Sequence, residues 1–466
     1  MSYQVPKHIS KDKIFIVNRS EIEGRLDPHS YHNERKDAIK RIKKTGNYFP
    51  LSSVVSFKKS ISTNMKSGDI YVGLENIISD TGEYIKTIEK QSISSAAVFK
   101  KGDILFPKLR PYLNKVFYAT FDGLCSTEFY VLKSNGVNSQ YLSIFLRSSL
   151  IVNQTKHLMT GNTLPRLQTE DVRNLLIPIP SVDTQRKIVD CYMYAYNHKL
   201  QKDTEAKQLL DSIDGYLLNE LGITLPNLKA ELTDRFFYVK YSDLSNRLDP
   251  YYSLEYFKKS FEAVHSGKYP VVSLKSLSTL ITSGITPRAG GDAYVDDKLN
   301  GIPFIRSGNI NIDGELDFED LLYIRPEIHK TIMKSSQVRK NDLMIAIVGA
   351  TIGQVGIYVF DNEANINQAI ALVRLKNGIN VEYVKELIKS SIGQLSLNRL
   401  KRPVARANIN LEEIATIQVV LPPYEIQQKI ANQIQCIRRQ AKALQAEGKA
   451  ILDNAKRKVE QMIIGL

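Results

Sequence analysis

The sequence predicts a mixed α/β (α+β) fold: two homologous globular domains separated by two long helices that form an antiparallel coiled coil. Three observations predict it. First, Pro180-Ser181-x-x-x-Gln185-x-Lys187-Ile188 aligns with Pro422-Pro423-x-x-x-Gln427-x-Lys429-Ile430 at an offset of 242 residues, and a helical segment of about forty residues follows each. Second, Arg25-Leu26-Asp27-Pro28 returns as Arg247-Leu248-Asp249-Pro250 at an offset of 222, so the chain reads as a duplication. Third, each half is strand-rich between these marks, alternating apolar and polar residues between Gly, Asn and Pro punctuation. The expected boundaries are 1–181, 182–222, 223–423 and 424–466.

In chain order, a short strand (IFIVN) precedes Asp27-Pro28, where Asp-Pro favours a turn leaving an extended segment. A helix follows in each half (NERKDAIKRIKK; SLEYFKKSFEAVH). The strands DIYVGLENI and KGDILFPKLRPYLNKVFYA match GIPFIRSGNI and RKNDLMIAIVGATIGQVGIYV, with Ile77 on Ile310 and Asp103 on Asp342. The second half is about twenty residues longer, and most of the excess is expected in the Gly-rich loop SGITPRAGGDAYVDDKLNG. A helix and a basic loop close each half (GNTLPRLQTEDV; KRPVARANINLEEI) before the Pro-punctuated strand. In the final helix, Ile430, Ile434, Ile437, Ala441, Leu444, Ile451 and Ala455 step by four and three, with Gly448 empty: a heptad seam. The central helix starts its seam with Ile188, Tyr192 and Ala195, weakens through Lys199 and Lys202, and recovers at Leu209, Ile213 and Leu217. Each helix is about 60 Å long at 1.5 Å per residue, and mutual burial of the two seams is expected.

Composition narrows the function. Sixty-three Lys and Arg against 49 Asp and Glu give a net charge of +14, which favours a polyanionic partner such as nucleic acid. Cys125, Cys191 and Cys436 lie far apart without ligand spacing and read as free thiols of a reducing compartment. MSYQVPKHISKDK has no apolar signal core and no run approaches the ~20 residues that span a bilayer, so a soluble cytoplasmic protein without a membrane partner is expected. Two basic domains and a pseudo-two-fold helix pair suit double-stranded DNA read at two unlike places with an unread spacer between them.

The order IPIPSVDTQRKI, VVLPPYEIQQKI, KGDILFPKLRPYLNKV, SGITP and NDLMIAIVGATIGQVG resembles the specificity subunit of type I restriction-modification systems, over nearly the whole chain. The resemblance implies two target-recognition domains, a prokaryotic setting and no catalytic residues. It also implies docking of two methyltransferase subunits on the helices, with restriction or translocase subunits added through them. S-adenosylmethionine, ATP and Mg would belong to those partners, with no cofactor on this chain. The first half departs from the pattern: it has no SGxTP, and Pro107-Lys108-Leu109-Arg110 replaces a hydroxyl-rich loop.

The candidate DNA contacts follow from residue chemistry. Lys108, Arg110, Tyr112, Asn114 and Lys115 leave a strand together; Arg can bond guanine bidentately, Asn adenine, and Lys phosphate, though a solvated hairpin is the alternative. Arg166 lies in the first basic loop. In the second half Thr351 and Gln354 occupy the matching, nearly uncharged loop, and Arg306 and Asn309 follow a strand. Thr286, Arg288, Arg402 and Arg406 sit in polar loops expected near phosphate. Several patterns are set aside. Asp249-Pro250-Tyr251-Tyr252 is similar to an amino-methyltransferase motif but lacks its second proline and any cofactor loop, so it reads as a turn. His29 and His32 near Asp27 read as turn residues rather than metal ligands. Two other readings stay open: a self-contained methyltransferase or nuclease with drifted motifs, and a coiled-coil adaptor that binds no DNA.

Overall fold

A computed structural model of the chain describes residues 14, 16–22, 27–63, 68–86, 95–161, 163–227, 238–240, 249–288, 291–296, 298–401 and 407–465. The chain forms two compact units, Met1–Asp203 with Gln445–Leu466, and Thr204–Leu444. Each long helix therefore gives part of its length to each unit. The expected division instead made the helices segments of their own.

Both units repeat one antiparallel sheet. In the first, its order is Val55–Lys58, Phe129–Ser134, Ile104–Pro107, Phe117–Tyr118. In the second it is Ser278–Ser283, Ile370–Leu375, Leu343–Ala346, Val355–Ile357. Ile104–Pro107 and Leu343–Ala346 are buried at every residue, which is why their sequences are continuous apolar runs. A second sheet matches as well: Ala96–Phe99, Gly123–Cys125 and Tyr71–Val72 correspond to Gln337–Val338, Ala364–Ile366 and Ile302–Ile305. The first unit adds Ile61–Ser62 at one edge, whereas the second adds Leu322–Ile324 and Tyr294–Val295 at the other.

The excess length of the second half is more dispersed than expected. The offset rises from 223 at Ser278 to 233 at Ile310 and 239 at Asp342. About half of the excess thus lies in the Gly-rich loop, and part of the rest builds Leu322–Ile324 and the helix Pro326–Lys330. The strand expected at IFIVN does not form at Ile14 or 16–18, and Arg25, Leu26, Arg247 and Leu248 lie outside the described residues. The Asp-Pro turns do form: the Asp27 carboxylate accepts from Ser30 N, and that of Asp249 from Tyr252 N, each at 3.0 Å. Asp103 and Asp342 also share a role. Each is buried and accepts the backbone N–H three residues earlier at 2.7 Å; Lys58 bonds the first carboxylate and Arg374 forks onto the second.

The central helix Val182–Leu221 and the C-terminal helix Tyr424–Ile464 both begin beyond prolines and stop at a left-handed glycine, Gly222 and Gly465. In the first unit, Ile188, Tyr192 and Ala195 share a core with Leu452, Ala455, Val459 and Ile463, and Lys202 pairs with Glu447 at 3.1 Å. In the second, Leu217 and Leu221 share a core with Ile430, Ala431 and Ile434, and Lys429 pairs with Glu220 at 3.1 Å. The start of one helix thus faces the end of the other, an antiparallel pairing. The seam differs from the expected heptad in detail. Ile437 is buried, but Leu209, Ile213, Leu444 and Ile451 are only half-buried; beyond Gly448 the buried line passes through Leu452 and Val459 instead. Gly448 marks a close approach: a Cβ there would lie 3.2 Å from Lys202 Cβ and 3.4 Å from the Lys199 backbone. The weak stretch of one seam meets the gap of the other. The lysine stems cover Gly448 while their ammonium groups pair with Glu83, Asp203 and Glu447.

Each helix start is tied to its own globular part by the same bonds. The Gln185 amide accepts from Asn138 N at 3.0 Å and donates to Pro180 O at 2.9 Å. Gln427 does so with Asn380 N and Pro422 O at 3.0 and 2.8 Å. Tyr141 donates to Pro178 O and Tyr383 to Val420 O, both at 2.7 Å and fully buried; burial pushes both phenols well above their ordinary range. Tyr141→Phe or Tyr383→Phe leaves a buried carbonyl without its donor and should cost about 1–2 kcal/mol in urea denaturation.

One matched pair differs in kind. Ile144 and Tyr196 line the same apolar cavity in the first unit. Their counterparts at offset 242 are Glu386, which is buried, and Arg438, whose guanidinium forks onto it at 3.2 and 2.6 Å. Burial pushes the Glu386 carboxyl up. The hydrogen bond and charge of Arg438, with Lys385 and Lys389, outweigh that and hold it below its ordinary value. The unfolded chain therefore takes up this proton first, so the pair's stabilisation is full above the ordinary carboxylate range and falls as pH drops through the depressed value. Arg438→Met should cost about 3 kcal/mol and flatten that acid-side slope, whereas Glu386→Ile with Arg438→Tyr should be close to neutral by urea midpoint.

Candidate nucleic-acid interface

In both units the strand Ile104–Pro107 or Leu343–Ala346 runs out into a tight turn, and two other loops close on that turn. The backbone bonds are the same. Leu109 bridges Arg166, Arg110 N donates to Pro165 O at 2.9 Å, and Leu167 N donates to Lys108 O at 2.9 Å. In the second unit Val348 bridges Asn408, Gly349 N donates to Ala407 O, and Ile409 N donates to Ile347 O, the last two at 3.0 Å. The third loop joins through Lys108 N to Glu128 O at 2.8 Å and Ile347 N to Ala369 O at 2.9 Å. Three loops thus meet at the end of a fully buried strand, a base for variable side chains.

The structure brings Lys108, Arg110 and Arg166 together, and it uses two of them internally. Lys108 Nζ donates to Thr127 O at 2.6 Å and lies 4.8 Å from the centroid of the Tyr130 ring, and burial lowers its pKa. Arg166 forks onto Glu128 with two bonds of 3.0 Å, which neutralise it. Lys115 Nζ donates to Leu74 O at 2.9 Å. Asn114, expected to read adenine, is 5% exposed; its amide donates to Asp80 Oδ1 and Arg147 O at 2.9 Å each. Its donors are spent holding the turn closed. Arg110 and Tyr112 are exposed, and Arg110 makes no side-chain hydrogen bond or ion pair among the described residues.

In the second unit Asn309 meets the same correction. It is 4% exposed, accepts from Arg306 N at 2.9 Å and donates to Asp317 O at 3.2 Å. Asn76 makes the matching bonds with Gly73 N and Ile85 O in the first unit, so this asparagine is a property of the repeated fold. Arg306 is half-buried and donates to Asp320 O at 2.9 Å. Thr351 bonds back to Val348 O at 3.2 Å and Gln354 is half-buried. Thr286 and Arg288 are exposed, in a loop held close to the second sheet because a Cβ on Gly284 would lie 1.7 Å from Ile366 O. Arg402 and Arg406 lie outside the described residues.

Sequence reasoning missed the middle loop, Ser126–Phe129 and its counterpart Asn367–Ile370. The exposed Thr127 and Gln368 stand at its tip, and Glu128 neutralises Arg166. Short polar segments between strands carry little signal alone; only the repeat alignment picks this one out. His32 joins Glu34 and His157 rather than His29, with ligand-type atoms within 4.8 Å. The two imidazoles stack, with centroids 4.0 Å apart and planes at 15°, so their in-plane lone pairs do not converge on one ion. Lys156 already supplies the positive charge, 2.5 Å from Glu34. Its hydrogen bond and that of His157 hold the carboxyl down to about 2.

Comparison with known proteins supplies the family. The type I restriction modification DNA specificity domain matches twice, over residues 36–209 and 255–450. The EcoBI specificity subunit of Escherichia coli is 37% identical over 141 residues, 30% of this chain and 29% of that protein. The EcoDI specificity subunit of Escherichia coli is 29% identical over 138 residues, 28% of this chain and 31% of that protein. The matched segments thus span less than a third of these relatives. A solved chain of a type I R-M system is 19% identical with a TM-score of 0.49, covering 90% of this chain and 96% of its own. Among the described residues no helix is long and apolar enough to cross a membrane. Two copies of the matched domain cover well over half of the sequence, and the chain belongs to the family of the type I restriction modification DNA specificity domain.

Proposed function

We propose that this chain is the non-catalytic specificity subunit of a type I restriction-modification complex. Each unit engages part of an asymmetric, bipartite double-stranded DNA target through its three-loop frame. The observation that carries this reading is the repeated frame itself: identical backbone ties in both units, with Lys108, Arg110 and Tyr112 on one and Gly349, Ala350 and Thr351 on the other. A shared scaffold with unlike side chains suits two half-sites of unlike sequence. The net charge of +14 supplies attraction to phosphate that carries no sequence information.

The long helices would dock two methyltransferase subunits and, through them, restriction subunits, and would set the unread gap in the target. Methyl transfer from S-adenosylmethionine would occur on those partners, which must take the target adenine out of the stack. ATP and Mg would likewise belong to partner subunits.

Two outcomes test this. Genome-wide adenine methylation in cells carrying the chain with its methyltransferase should show a two-part asymmetric motif, and that motif should vanish when only this chain is deleted; methylation unchanged by deletion would refute the role. Lengthening both long helices by two turns in matched positions should widen the unread gap and leave the bases read unchanged, as judged by the same sequencing.

A further inference from the structure

We propose that Arg110 is a specificity-determining residue of the first unit and that its guanidinium reads a guanine in the DNA target. This rests on the reading of the chain as a DNA-specificity subunit and goes beyond it to one residue and one base.

The turn that carries Arg110 exists twice. In the first unit two left-handed residues bracket it, Arg110 at φ 47° and Asn114 at φ 51°. In the second the brackets are Gly349 at φ 71° and Gly353 at φ 94°, each 239 positions on. The left-handed posts therefore belong to the scaffold, and glycine is the residue that occupies them without strain. Gly349 has nothing within 4 Å of where a Cβ would stand, so the first post needs no side chain to hold the turn. Asn114 repays its strain, because its amide closes the turn onto Asp80 and Arg147. Arg110 does not. It is exposed, and among the described residues its guanidinium bonds nothing in the protein. Strain at a solvent-facing side chain with no internal return points to a use outside the fold.

The surroundings specify that use. Lys108, Lys115 and Arg166 are held by Thr127, Leu74 and Glu128, so among the described residues Arg110 is the cation of this loop pair whose side chain bonds nothing in the protein. Its Cα is pinned by Arg110 N to Pro165 O on one side and by the buried Pro111 on the other. A pinned origin matters little for a phosphate contact, which a flexible lysine serves. It matters for the bidentate fork onto guanine O6 and N7, where direction decides the bond. The exposed Tyr112 and Leu113 beside it give the turn an apolar flank at the same surface.

The test compares wild type, Arg110→Gly and Arg110→Lys, each as the full chain with its methyltransferase. Readouts are the methylated motif, binding to a panel of single-base target variants, and the melting temperature. Arg110→Gly removes the strained side chain, so the melting temperature should hold or rise. Discrimination at one guanine should fall by about 10–100-fold, with every other position unchanged. Arg110→Lys keeps the charge and the strain but replaces the planar fork with a point ammonium, and it should lose part of that discrimination at the same base. Unchanged base preference in both variants would overturn the proposal. So would an even loss of affinity across all target variants that Arg110→Lys rescues, since that marks a phosphate contact. A wild-type chain that directs no bipartite methylation would instead remove the underlying reading, and that failure is visible before any variant is compared.

Discussion

The glutamine at the start of each long helix is the constraint on which the rest depends. Gln185 and Gln427 each span from a proline carbonyl just before the helix to the N–H of an asparagine that caps a helix of the globular part. A buried amide with both ends satisfied fixes direction as well as position, because turning it would strand a donor and an acceptor together. The tyrosine bonds to Pro178 and Val420 lock the strand that feeds the same corner. With these ties in place, forty residues of helix leave each globular part along one line, and their apolar faces have to be buried where that line takes them.

Burial along that line is not uniform. The lysines that interrupt one seam meet the glycine that interrupts the other, so the backbones close in and the charges are carried to the rim on aliphatic stems. The pair of Glu386 and Arg438 against Ile144 and Tyr196 shows a second solution to one packing problem. One copy places an isoleucine and a tyrosine beside a cavity, and the other a forked ion pair whose attraction offsets the desolvation of both charges. The duplicated fold tolerates either, because the backbone ties around the site are the same.

The surface follows a similar economy. A chain with a surplus of positive charge does not leave every cation free: around the first unit's turn, Lys108, Lys115 and Arg166 serve the loops that surround Arg110. Rigid loops with few free donors favour recognition of a particular edge over adhesion to any polyanion, since each outward donor then has a defined origin.

By itself the sequence determined the duplication, the two long helices, the strand-rich halves and the family, since all of these are written in spacing, period and punctuation, which are local. The Asp-Pro turns and the shared places of Asp103 and Asp342 were legible for the same reason. Only the tertiary structure decided that Asn114 and Asn309, chemically fit to read a base, close turns inside the fold, and that Arg166 faces Glu128. A side chain's availability depends on partners 33 to 38 residues away for Asn114 and Arg166, and for Asn309 on a turn whose local form gives no sign of its burial. It likewise decided where the seam shifts beyond Gly448, because helix approach is set by what the facing helix presents. The left-handed post at Arg110 was hidden too: an arginine, unlike the asparagine at 114, gives no sign of positive φ until the chain closes around it.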